Sequence, residues 1–187
     1  MIKKLIPLII ICLFLLGCAT PKGVTKQDQR DYALNMKEET LAKLYKTKPE
    51  TKDMIKKAAG YGVFSNVGSY VFLLSTGNGY GVVVNNSTGQ KTYMKMMQVG
   101  AGFGLGIKDI RLVFIFRNQQ VVNDFVNKGW EFGGQADAAV KSGEKGGAIG
   151  GEAYLESDII IYQLTEAGVA LQATVAGTKY WKDKELN

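Results

Sequence analysis

The chain of 187 residues has no histidine, and its two cysteines, Cys12 and Cys18, both fall within the first 18 positions. Without histidine there are no Ser-His or Cys-His base pairs, and the commonest metal ligand is missing. No thiol lies beyond Cys18 to form a disulfide, bind a metal or act as a nucleophile, so the folded part must be held by packing. No G-x-S-x-G elbow and no G-x-x-x-x-G-K-[ST] loop occurs. Between Asp53 and Asp109 there is not one carboxylate. Any acid–base work would have to draw on other segments, and no catalytic, cofactor or metal site is read from these residues.

What is present begins at the N-terminus. Lys3 and Lys4 open a short apolar run, which ends in Leu15-Leu16-Gly17-Cys18. The run from Leu5 to Leu16 falls short of the roughly 20 apolar residues that a membrane span needs. A basic start, an apolar core and a small residue at the cut are the parts of a secretory signal. The pattern resembles a bacterial lipoprotein signal with its lipobox. That resemblance implies residues 1–17 as signal peptide, cleavage before Cys18, acylation of Cys18 and a lipidated tether over 18–25. Two acyl chains suffice for stable anchoring. Ala19 stands where an aspartate favours inner-membrane retention, which implies the outer membrane, facing the periplasm, in a cell with two membranes. Loss of Lys3 and Lys4 leaves 21 basic against 17 acidic side chains. That mild excess suits an anionic surface and argues against nucleic acid as a partner.

Residues 26–187 read as one domain in two parts. In the helical arm, 26–59, Tyr32, Met36, Leu41, Leu44 and Tyr45 recur near a 3.6-residue period. Thr25 or Asp28 caps its start. Pro49 opens a shorter helix with Met54, Ile55, Ala58 and Ala59 on its buried side, stopped by Gly60. The β-rich part, 60–187, holds 19 of the 23 glycines between Gly60 and Gly151. Short Val/Ile/Phe/Tyr runs alternate there with glycine and Asn/Ser/Thr turns. Predicted strands are Gly62–Asn66, Tyr70–Ser75, Tyr80–Asn85, Lys91–Lys108, Arg111–Phe116, Trp130–Val140, Ile159–Leu164 and Val169–Val175. Asn118 caps a helix with Val121, Val122, Phe125 and Val126 on its apolar side, stopped by Gly129. Ser142 to Gly151 forms a glycine-rich loop and Trp181 to Asn187 a polar tail. The fold class is α+β, with an antiparallel, strongly curved or barrel-like sheet, an N-terminal helical arm and one inserted helix.

Three features bear on function. In a regular strand Gly100, Gly102, Gly104 and Gly106 share one face, with Ala101, Phe103 and Leu105 on the other. A bare glycine face serves close strand packing in a curved sheet, or a groove for an acyl chain or peptide. Gly77-Asn78-Gly79-Tyr80-Gly81 repeats the pattern on a smaller scale. Lys91, Tyr93 and Lys95 share a face that continues into Met97, Val99 and Phe103. An anionic lipid matches that layout, with phosphate at the lysines and at Arg111 and Arg117, and the tail along the apolar stripe. A core-facing stripe whose lysines snorkel at a wet rim fits the same pattern. Glu152, Glu156 and Asp158 are a carboxylate cluster that reads as surface.

The order and spacing of several segments resemble the SYLF, or Ysc84-type, domain. They are Lys57-Ala58-Ala59-Gly60-Tyr61-Gly62-Val63-Phe64, Gly77 to Val83, Gly100 to Gly106, and Leu112-Val113-Phe114-Ile115-Phe116, followed by Phe125 and Gly129. Eukaryotic members bind phosphoinositides and some bind actin; bacterial members are commonly lipoproteins. The resemblance implies a non-enzymatic module that binds membrane phospholipid, or alternatively an envelope protein that binds a protein or peptide partner. Many members carry a Trp followed shortly by Pro before the glycine-rich strand. Lys91-Thr92-Tyr93-Met94-Lys95 has neither, a departure that bears on which headgroup is taken.

Overall fold

A computed structural model describes residues 20–132, 153–155, 158–165, 168–170 and 177–187. Residues 1–19, 133–152, 156–157, 166–167 and 171–176 lie outside the described residues; they include Cys18, Glu152, Glu156, the expected loop from Ser142 to Gly151 and parts of the expected strands Trp130–Val140 and Val169–Val175. Helix α1 (Lys26–Thr47) begins with a capping box: the Thr25 hydroxyl accepts from the Asp28 amide, and the Asp28 carboxylate accepts from the Thr25 amide. Its buried side is Ala33, Met36, Lys37, Thr40, Leu41 and Leu44, spaced three and four apart. Of the five expected apolar positions, Tyr32 is exposed and Tyr45 half-buried. Lys37 is buried with its Nζ 2.5 Å from the Glu38 carboxylate and 5.9 Å from the Tyr61 ring centre.

Helix α2 (Thr51–Lys57) ends at Ala58, so Gly60 opens the next strand and does not stop the helix. That strand, β1 (Gly60–Asn85), pairs antiparallel with β2 (Lys91–Phe116) across a turn in which Gly89 has φ 71°. These 26-residue strands replace five shorter ones expected from the sequence. Gly68-Ser69 and Ser75 to Gly79 look like turn signals but are spanned by continuous cross-strand pairing. Helix α3 (Gln119–Asn127) follows, with the Asn118 side chain accepting from the Val121 amide at 2.9 Å and Gly129 at φ 76° beyond its end. Strands β3 (Trp130–Phe132), β4 (Ala153–Leu155), β5 (Ile159–Thr165), β6 (Gly168–Ala170) and β7 (Thr178–Lys182) complete a seven-stranded antiparallel half-barrel sheet. β5 pairs with Arg111–Phe116 at one end of β2, and β7 with Met94–Gln98 at the other.

The long ribbon folds back so that the first part of β1 lies against its own last part. The Asn86 amide donates to the Ala59 carbonyl at 2.9 Å, and the Asn86 side-chain amide donates to the carbonyls of Ile55 and Ala58. A Cβ placed on Gly81 would sit 2.6 Å from the Val63 carbonyl and against the Phe64 ring, and one on Gly79 would strike the Ser65 carbonyl and Met96. The side chain of Asn66 rests on Gly77. Gly77, Gly79 and Gly81 are therefore the contact line along which the chain meets itself, one of the two uses expected of bare glycine faces.

The ribbon also rolls over between its ends. Near its start, even-numbered Phe64 of β1 joins the inner core with Leu112, Phe114 and Phe116. Near its end, odd-numbered Val83 joins that core, while Tyr80, Val82 and Val84 face α1. The register slips by one at the crest, from Phe72↔Gly104 to Leu74↔Ala101, so β2 carries one extra residue there. Such a bulge sharpens twist. It also divides the four glycines of the Gly100–Gly106 segment: Gly104 and Gly106 pair with Phe72 and Tyr70, but Gly100 pairs with Ser75, an odd position. The expected single glycine face is corrected accordingly, because an extra residue reverses the alternation.

Inside the half-barrel Phe64, Phe114, Phe116, Phe125 and Tyr180 pack at centroid distances of 4.9 to 6.2 Å. Each such ring buried contributes roughly 1.5–3 kcal/mol. On the outer side, α1 and α2 cover Val63, Tyr80, Val82, Val113 and Ile115.

Substituting Gly79→Ala forces a methyl into backbone and should cost about 1–3 kcal/mol, lowering Tm by about 5 °C. Gly89→Ala meets nothing within 4 Å and should cost about 1 kcal/mol from its positive φ alone. Thermal melts showing Gly79→Ala as stable as the parent would contradict the close approach.

Candidate functional site

The outer face of the sheet carries a row of polar side chains beside the first half of α1. Lys95 pairs with Tyr80 across the ribbon, and Ser65 pairs with Arg111. The Ser65 carbonyl lies over Gly79, next to Tyr80, so the row runs Lys95, Tyr80, Ser65, Arg111 across the contact line of β1. Arg111 Nη1 donates to Ser65 Oγ and lies 2.9 Å from an Asp109 carboxylate oxygen. Lys95 Nζ lies 3.4 Å from Asp183 Oδ1, an oxygen of a buried carboxylate that also accepts from the Glu185 amide at 2.9 Å. Both cations keep part of their side chains in solvent, 31% for Lys95 and 25% for Arg111. The Tyr32 ring from α1 lies tilted over Tyr80 at 5.9 Å.

Burial pushes the Tyr80 phenol far above the usual tyrosine range, and the neighbouring Tyr32 raises it further; Arg111 and Ser65 pull partly the other way. Burial likewise raises Tyr93, against the pull of the Arg30 guanidinium 6.0 Å from its ring centre. Both phenols are neutral hydrogen-bonding groups at ordinary pH, which leaves the row with two cations and two acids. Such a row can bind an anion by competition.

The five residues expected to contact lipid separate in space. Lys95 and Arg111 share the row. Tyr93 is buried beneath α1 and the last residues, its amide and carbonyl bonded to the Asn187 side chain at 3.0 and 2.8 Å. Lys91 is exposed beside the hairpin turn, opposite Val84. Arg117 follows β2, exposed, its amide donating to the Asp158 carbonyl at 2.8 Å. The last residues were read as a polar tail, yet Leu186 is buried and its carbonyl accepts from Arg30 Nε at 2.7 Å. Its lone leucine was the available signal. Asn66 and Gln98 form a further pair that the sequence reading missed. Asn66 is buried and its Nδ2 donates to Gln98 Oε1, which joins the two halves of the ribbon where the crest begins. No described helix is long and apolar enough to cross a membrane.

Raised phenol pKa values link stability to alkaline pH. The folded state keeps the Tyr80 and Tyr180 protons that an unfolded chain releases above about pH 10. Stability from these groups is complete below that pH and declines above it. Urea midpoints should hold between pH 7 and 9 and fall beyond pH 10, less steeply in Tyr80→Phe. An identical alkaline slope in that variant would exclude Tyr80 as a source.

Comparison with known proteins follows the same region. Residues 97–187, from the middle of β2 through β7, match the sequence profile of a family described as Ysc84, Las17-binding protein actin regulator. Beta cell expansion factor A of Aeromonas veronii is 34% identical over 162 residues, covering 87% of this chain and 60% of the relative. The chain thus spans less than two thirds of that relative's length.

Proposed function

We propose, from the match of residues 97–187 to the Ysc84 (SYLF) family profile and the likeness to its relative, that the chain is a lipid-anchored envelope protein whose domain binds anionic phospholipid without catalysing a reaction. The carrying observation is the row of Lys95 and Arg111 on the outer face, each partly open to solvent and beside the N-terminal half of α1. The tether leads from that half of the helix to Cys18. Acylation of Cys18 holds the domain at the outer membrane, facing the periplasm. A phosphate reaching the row displaces Asp109 from Arg111 and Asp183 from Lys95, exchanging a carboxylate for a phosphate at each cation. The Arg111–Asp109 pair, with Asp109 open to solvent, is worth only about 0–1 kcal/mol, so exchange there is inexpensive; Asp183 is buried, so exchange at Lys95 costs more.

Lysine or arginine at an anionic surface contributes about 1 kcal/mol each. Lys95→Gln with Arg111→Gln should weaken binding to phosphatidylglycerol vesicles by about tenfold or more, and raising salt should weaken the parent similarly. A parent chain from residue 18 onward, with Cys18→Ser, that ignores such vesicles at low salt would end this reading. The anchor has its own test. Mass spectrometry of the protein from membranes should find the chain beginning at an acylated Cys18; an uncut precursor with a free thiol would reject it.

The family description, which names a Las17-binding actin regulator, favours a second reading in which the same face takes a protein partner. A stoichiometric protein recovered with the chain, and no phospholipid, would select it.

A further inference from the structure

Four of the five large apolar side chains left exposed among the described residues lie together. Val67, Met97 and Val99 are 40%, 46% and 48% exposed, and Tyr32 is 36% exposed. Val67 follows Asn66, which rests on Gly77 and bonds to Gln98, the residue between Met97 and Val99. Tyr32 covers Tyr80, whose cross-strand partner Lys95 is two positions from Met97. The patch therefore borders the Lys95–Arg111 row on the side away from α2.

The sequence of the ribbon beyond it has no charged residue. No Asp, Glu, Lys or Arg occurs from Ala58 to Gln90 in β1 and its flanks, nor from Met96 to Ile107 in β2. Strand ribbons that face water normally carry charge, lysine above all. An apolar patch rimmed by charge marks an interaction surface.

We propose that this patch is where the domain enters the bilayer interface, with Val67, Met97 and Val99 at the headgroup–acyl boundary and Lys95 and Arg111 at phosphate level. The inference rests on the phospholipid reading above and adds the inserted face to it. The tether argues for a membrane as occupant. Six residues lie between Cys18 and the cap Thr25, seven Cα–Cα steps with a reach of about 25 Å. An acylated Cys18 therefore keeps the start of α1 within that distance of the lipid, and Tyr32, two turns along the helix, within about 10 Å more. Tyrosine at the edge of such a patch suits the interface, with its ring towards lipid and its hydroxyl towards water.

The test uses the chain from residue 18 with Cys18→Ser, since every described element lies from Thr20 onward and α1 is capped by its own Thr25. An environment-sensitive dye on Val99→Cys, in a chain with no other thiol after residue 17, should shift to the blue on vesicles of phosphatidylglycerol and phosphatidylcholine. The triple variant Val67→Ser, Met97→Gln, Val99→Ser should keep the parent's circular dichroism and bind at least tenfold more weakly. If the parent binds, the dye stays in water and the triple variant binds equally, this face is not the inserted one, while the phospholipid reading stands. If the parent does not bind at all, both fall together. A dye shift that needs no vesicles and tracks a concentration-dependent dimer would assign the patch to a second copy and overturn the proposal.

Discussion

The close approach of β1 to itself governs the rest of the structure. Carbonyls of Val63 and Ser65 lie where Cβ atoms would stand on Gly81 and Gly79, and the Phe64 ring fills the space beside Gly81. A backbone can come that near only where no side chain intervenes. From that contact follow one aromatic core shared by both ends of the ribbon, and one outer surface broad enough for α1 to cross. Because the strand alternates throughout, the two ends can share an interior only if the ribbon turns over between them. The extra residue of β2 opposite the crest and the strong twist natural to two-stranded ribbons meet that requirement.

The helices were legible because their signals are local. Thr25 and Asp28 form the box their types and spacing suggest, Asn118 caps as expected, and the α1 core positions follow a helical period. The strands were legible in type but not in length. Glycine, serine and asparagine between apolar runs mark turns when a strand must stand on its own propensity. Here each such residue has a cross-strand partner, so pairing overrides the local preference over the whole of β1. Glycine clustering carried real information, since Gly79 and Gly81 do admit a backbone and Gly77 the side chain of Asn66. Sequence spacing could not reveal that the backbone was their own strand's, nor that a one-residue slip would divide Gly100 from Gly104 and Gly106.

The candidate site shows the same limit. Lys95 and Arg111 are 16 positions apart in one strand, and only the fold-back of the ribbon brings them to one row. Tyr93 shares a strand face with Lys95, as alternation requires, but α1 and Asn187 cover it. Periodicity assigns a face; it does not say what lies over that face. Lys37 illustrates this from the other side, being a lysine in a mixed helix that the packing of Tyr61 takes out of water.

For the proposed phospholipid ligand, the paired state of the two row cations would have a consequence for selectivity. Neither Lys95 nor Arg111 waits as a bare charge, because Asp183 and Asp109 already sit against them. An incoming anion gains only the difference between its own contacts and those of the carboxylate it displaces, so a single monovalent anion gains little. A surface that offers many phosphates together with an apolar layer gains at both cations and at the neighbouring aliphatic side chains in one event. Additive weak contacts of that kind favour an extended lipid surface over a soluble phosphate, because each contact after the first is made within an assembly already held in place.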